Sequence, residues 1–188
     1  MISQIENRIR KIFSIDQDSL NKFTECLRTY ELPAKYVLFS DDKTALTLYY
    51  IVKGGARSYY YNAGKEINHW FAFEDDIITS FYSFVSQKPG YENIELLEPG
   101  ILLGINYVDL SRLCKENPSI NQLYRLLLEE NYLDMEKRFI ETHLITAKEK
   151  YKNLIEKYPH ILQRVPLGYI ASFLGMTQET LSRIRSEI

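Results

Sequence analysis

The chain has 188 residues, 45% hydrophobic and 26% charged, enough for a real core in one large domain or a moderate domain plus a small one. It has no run approaching the ~18 apolar residues of a membrane span, and MISQIENRIRKIF lacks the apolar centre of a signal peptide, so a cytoplasmic protein is expected. The net charge of −2 hides an asymmetry: from His143 onward seven Lys and Arg face four acids, net +3, which leaves −5 on the rest. Cys26 and Cys114 sit in amphipathic helical contexts and read as buried small hydrophobes. Two cysteines cannot build an all-cysteine iron–sulfur site, and no pair among His69, His143 and His160 has zinc-ligand spacing, so no cofactor is expected.

In chain order, Ile2, Ile5, Ile9, Ile12 and Phe13 recur at helical spacing. A second helix, capped by Asp16 or Asp18, is predicted to run to about Leu27. From about Leu32 to Ile105 the texture becomes that of short strands. These are Val37–Phe39, Leu46–Val52, Ala56–Tyr61, Glu66–Phe73, Glu92–Leu97 and Ile101–Ile105, separated by turns at Gly54-Gly55, Gly64, Pro89-Gly90 and Pro99-Gly100. A short helix is expected within Ile78–Val85. Such spacing argues for a β barrel or sandwich, and its many aromatics read as sheet packing rather than base stacking. Tyr107–Lys115 is a short helix. Ser119–Glu141 then reads as one long helix without Gly or Pro, apolar on more than one face. One face can cover the barrel; the other is free for a partner, most simply the same helix of a second copy. Thr146–Tyr158 is a further amphipathic helix, broken at Pro159.

The last stretch, VPLGYIASFLGMTQETLSRIRSEI from Val165 to Ile188, reads as helix, tight turn, helix. Gly175 supplies the turn, and Pro166 suits the first turn of the first helix. Ile170, Ala171 and Leu174 face Met176, Leu181 and Ile184 across the pair. Thr177 is placed to cap the second helix. That helix presents Gln178, Glu179, Ser182, Arg183 and Arg185. Arg suits guanine O6 and N7, Gln suits adenine, and Glu accepts from cytosine N4, so this face is the candidate base reader.

The whole order resembles the Crp/Fnr superfamily of bacterial transcription regulators. The segment ITAKEKYKNLIEKYPHILQRVPLGYIASFLGMTQETLSRIR is similar to a Bacteroidetes-type branch of that family. The resemblance is specific from Thr146 to Arg185 and looser in the barrel. It implies an α+β chain: a sensor domain over 1–118 with N-terminal helices and a double-stranded β-helix of the cyclic-nucleotide-binding type, a dimerisation helix over 119–142, and a helix-turn-helix domain over 143–188. It places Gln178, Glu179 and Arg183 on bases and Thr177 on phosphate. It implies a palindromic double-stranded DNA site, a homodimer, RNA polymerase as a further partner, and no membrane. The family carries a β wing after the recognition helix; with the sequence ending at Ile188, a domain without a full wing is expected.

Cyclic-nucleotide-binding members hold the ribose with a Gly-Glu pair and the phosphate with an Arg-Ser-Ala or Arg-Thr-Ala run. In the matching region Thr79-Ser80 replaces the first and Tyr91-Glu92-Asn93 the second. A carboxylate beside the phosphate place repels it, so a diverged effector site that does not take cyclic AMP is expected. Trp70, Thr79, Ser80, Tyr91, Glu92 and Asn93 are the candidate effector contacts, and the effector itself is unspecified. The competing readings are a cyclic-nucleotide-gated regulator, a cupin-like metalloenzyme, and a ligand-binding or interaction module without DNA binding. A cupin site needs clustered His and carboxylate ligands, and His69 has no His-X-His partner on its strand, so no enzyme is expected.

Overall fold

The computed structural model describes residues 1–187; Ile188, the last residue of the predicted second helix of the terminal pair, lies outside them. Helices α1 (Ile2–Ile12) and α2 (Gln17–Glu25) open the chain. Asp16 caps α2, its carboxylate accepting from the Ser19 amide at 2.8 Å. The helix stops at Glu25, short of the predicted Leu27, and Arg28–Leu32 forms strand β1. The sequence hid this strand because it lies at a sheet edge, with only Tyr30 and Leu32 half-buried.

Seven further strands follow: β2 (Val37–Phe39), β3 (Thr47–Lys53), β4 (Ala56–Asn62), β5 (Lys65–Ala72), β6 (Ile77–Ile78), β7 (Asn93–Leu96) and β8 (Gly100–Asn106). The helix expected within Ile78–Val85 is α3 (Phe81–Ser86), preceded by β6. The strands form two four-stranded antiparallel sheets, β1-β8-β3-β6 and β2-β7-β4-β5. The pairs β1–β8, β2–β7, β3–β6 and β4–β5 are nested, which is the winding of a double-stranded β-helix.

Alternation sorts the side chains. Ile51, Ala56, Ile94, Leu96 and Leu102 meet between the sheets, joined by Trp70 and by Tyr30, Phe39 and Tyr49. The Tyr30 and Tyr49 rings meet edge to face at 5.2 Å. Leu48, Tyr50, Leu103 and Ile105 face outward from the first sheet and are covered by α1, α2 and the start of the long helix. Cys26 and Cys114 are half-buried against this outer core, and burial pushes the Cys114 thiol up.

After α4 (Tyr107–Glu116), Asn117 caps α5 (Pro118–Leu144), with Pro118 in its first turn. The helix is longer than predicted by a turn. Ile120 and Leu123 are buried against the barrel, while Tyr132, Leu133, Met135 and Phe139 are exposed. The two apolar faces read from the sequence are thus separated along the axis as well as around it. A capping box between Thr146 and Glu149 starts α6 (Ala147–Lys157), and α7 (Ile161–Arg164), α8 (Leu167–Leu174) and α9 (Gln178–Ser186) complete the chain. No helix among the described residues is long and apolar enough to cross a membrane.

Candidate nucleic-acid interface

The C-terminal core is built from Tyr151 and Leu154 of α6, Ile161 of α7 and Val165 just after it, Ile170, Ala171 and Leu174 of α8, and Leu181 and Ile184 of α9. Met176 packs half-buried against it. Gly175 has φ +69°, the left-handed conformation glycine tolerates best. Its N–H donates to the Ser172 carbonyl and the Met176 N–H to the Ala171 carbonyl, a Schellman closure that turns the chain into α9. Pro166 stands one residue outside α8, at the N-cap, where its carbonyl accepts from Tyr169 and Ile170. Thr177 caps α9, its hydroxyl accepting from the Thr180 amide.

Burying Leu181 and Ile184 turns the opposite side of α9 to solvent, and Thr177, Gln178, Glu179, Ser182, Arg183 and Arg185 are all exposed there. The structure therefore brings the six sequence-predicted residues together on one accessible surface. Hydrogen bonds from its own amide and the Thr177 hydroxyl hold the Glu179 carboxyl below its ordinary range. It is an acceptor at neutral pH, as an exocyclic amine would require.

The other side of this unit rests on the outer face of the β2-β7-β4-β5 sheet. Ser172 accepts from the Asn68 amide at 3.0 Å and donates to the Glu66 carbonyl at 3.3 Å. Phe173 lies between Phe71, with ring centres 5.1 Å apart, and the Arg138 guanidinium, 3.8 Å above its ring. Burial lowers the Arg138 pKa to about 10, still charged at neutral pH. Arg164 pairs with Glu74 and Glu98 and lies over Phe73. Beneath Tyr169, Arg57 is 2% exposed. Its guanidinium donates to Glu95 at 2.8 Å, to Asn68 at 3.0 Å and, as an ion pair, to Glu66. The rings of Tyr59 and Tyr169 flank it at 4.1 and 3.8 Å. Burial disfavours this charge, and the bonds to Glu66 and Glu95 outweigh it, so the guanidinium pKa is raised. None of these dock residues stood out as functional from sequence. The available signal was Arg57 and Glu95, charged residues inside predicted strands.

The proposed effector contacts divide. Trp70 and Glu92 meet: the indole N–H donates to Glu92 Oε2 at 3.3 Å, and the same oxygen accepts from the Ser58 hydroxyl. Ser58, which the sequence reading passed over, is fully buried and pairs with Ile94 and Trp70 across β4. Thr79 is buried and donates to the Thr47 carbonyl. Ser80 is buried at the start of α3 with no hydrogen-bond partner for its hydroxyl. Tyr91 is exposed and stacks on Tyr82 at 4.6 Å. Asn93 alternates with the inward Ile94 and so lies on the outer side, accepting from the Asp41 amide at 3.4 Å. Among the described residues no cluster of His, Cys, Asp and Glu could hold a metal ion.

Sequence comparison finds no match among family models or curated proteins. Solved structures do match. FixK2 from Bradyrhizobium japonicum superposes with TM-score 0.73 at 17% identity, over 86% of this chain and 83% of that one. This chain has the fold of the Crp/Fnr regulators. A protein from Eubacterium rectale, described as a Crp/Fnr-family transcriptional regulator, gives TM-score 0.69 at 16% identity over 90% and 82%. CLP, a c-di-GMP-responsive global regulator of Xanthomonas campestris, gives 0.67 at 16% over 92% and 91%. At these identities the likeness to Crp/Fnr proteins is one of fold, and it extends through both the barrel and the terminal helices.

Proposed function

We propose that this chain is a sequence-specific DNA-binding regulator of transcription, acting as a homodimer on a palindromic site, with sensor, dimerisation and DNA-reading units over 1–118, 119–142 and 143–188. The observation that carries the reading is α9: a capped helix seated by Leu181 and Ile184 whose free face holds Gln178, Glu179, Ser182, Arg183 and Arg185 together. The dimer rests on the exposed half of α5. Half-buried Leu128 and exposed Tyr132, Met135 and Phe139 follow one another at spacings of four, three and four, the seam of a two-helix coiled coil. Two such recognition helices then address half-sites about one DNA turn apart.

The barrel mouth supports a regulator that does not take cyclic AMP. Glu92 stands where the resemblance puts the phosphate, and its hydrogen-bond partners are a hydroxyl and an indole rather than a cation. An anionic phosphate brought to it meets Coulomb repulsion.

The test is selection of binding sites from a random duplex pool by the full chain, repeated with Arg183→Ala. The expected result is a palindromic site, with Arg183→Ala relaxing one base pair in each half-site at a cost of about 1–3 kcal/mol. Uniform weakening on every sequence, with a shallower salt dependence, would make Arg183 a phosphate contact. Failure of the wild-type chain to select any sequence would overturn the reading.

A further inference from the structure

Gly168 lies in the first turn of α8, half-buried, with φ outside the left-handed region. Its backbone therefore does not require glycine. A glycine inside a helix weakens it about two- to fivefold relative to alanine. What occupies the missing side chain's place is Gln178: a Cβ built on Gly168 would overlap the Gln178 side-chain amide, and apart from its chain neighbours and the nearby backbone of α8 nothing else comes within 4 Å of it. Gly175 is the opposite case. Its φ of +69° calls for glycine, while the space around it is open. The two glycines of this helix pair thus serve different ends, one the backbone and one a neighbour's side chain.

We infer that Gly168 is a specificity-determining residue: its bare Cα is the seat for the Gln178 amide, and so fixes how the first side chain of the recognition helix faces DNA. The inference rests on the DNA-reading function proposed above. A glutamine reads adenine only when its amide lies in the plane of the base edge, with donor and acceptor both engaged. An exposed glutamine on a helix start samples several rotamers. A seat on the neighbouring helix narrows them before DNA arrives. The overlapping atoms are the end of a flexible side chain, so alanine at 168 would turn the amide away and leave the helices in place.

The experiment compares the wild-type full-length chain with Gly168→Ala, Gln178→Ala and the double variant, by site selection and by NMR. In the wild type, a nuclear Overhauser contact is expected between the Gly168 α-protons and the Gln178 side-chain amide. Gly168→Ala should keep or raise the melting temperature. It should change discrimination about 5- to 150-fold at one base pair per half-site, the worth of one bidentate contact. In the Gln178→Ala background the same glycine substitution should leave base preference unchanged. Absence of the Overhauser contact overturns the seat alone, as does a Gly168→Ala site identical to the wild type's. A wild-type chain that shows the contact and selects no sequence overturns the DNA reading, and the role of the seat with it.

Discussion

Replacing Arg57 by methionine keeps much of the side-chain volume and removes the charge. Two carboxylates lose their partner. Glu66 is partly exposed and can turn to water, whereas Glu95 is 7% exposed and keeps only Lys35 at 3.1 Å. Breaking a buried pair by removing one partner costs about 3–5 kcal/mol, because the remaining charge stays desolvated. The surviving Lys35 contact and the exposure of Glu66 put Arg57→Met at the low end, about 3 kcal/mol. For a chain of this size that is a fall in melting temperature of about 6–12 °C. Urea unfolding followed by the fluorescence of the single tryptophan, Trp70, which sits on the adjacent strand, reads the loss directly. Pairing the substitution with Glu95→Gln should recover most of it, since a neutral amide costs far less to bury. A loss below about 1 kcal/mol, or a double variant no better than the single, would refute the assignment of Arg57 as the charge that stabilises this face.

Three further outcomes follow from the geometry. Met135→Glu together with Phe139→Glu should convert the chain from twice its mass to once in light scattering and leave its circular dichroism unchanged; an unchanged mass would remove α5 as the dimer seam. The Asp16 pKa is lowered to about 2 by the Ser19 hydroxyl and amide and by Ser119. An ordinary aspartate titrates near 3.9, so this cap contributes stability above about pH 4 and loses it as pH falls toward 2. The urea-midpoint gap between wild type and Asp16→Ala should close across that window and stay flat from pH 5 to about 8. Calorimetric titration with cyclic AMP or cyclic GMP should give no saturable heat at millimolar ligand; micromolar binding would show that other residues neutralise the phosphate beside Glu92.

The helix-turn-helix was legible because its signals are local. Gly175, Thr177 and the apolar register around Ala171 fix a turn, a cap and two facing stripes within a dozen residues. The strands with strong β-branched and aromatic runs were legible for the same reason, and β1 was not, since RTYEL offers two inward residues and depends on β8 for its pairing. The dock as a contact was not legible, although two of its charges stood inside predicted strands. Tyr169, Arg57 and Glu95 are distant in sequence and meet only because β4 and β7 pair and α8 lies across them. The candidate effector contacts are not all neighbours in space. Trp70 and Glu92 share a hydrogen bond, while Asn93, one residue further on, faces the other way, because the strand that begins there reverses side at every residue.

That reversal also ties the two halves of the molecule. Arg57 and Ser58 are consecutive: one supports the ring of Tyr169 outside the sheet, the other holds the Glu92 carboxylate inside it. On β5, Trp70 reaches inward to that carboxylate and Phe71 outward to Phe173. A single peptide plane separates the barrel's interior from the platform under α8 and α9, at two places side by side on a paired hairpin. A shift of the strand backbone moves both of its faces together. A backbone displacement at Ser58 or Trp70 would therefore carry Arg57 and Phe71 with it, and with them the surface on which α8 rests.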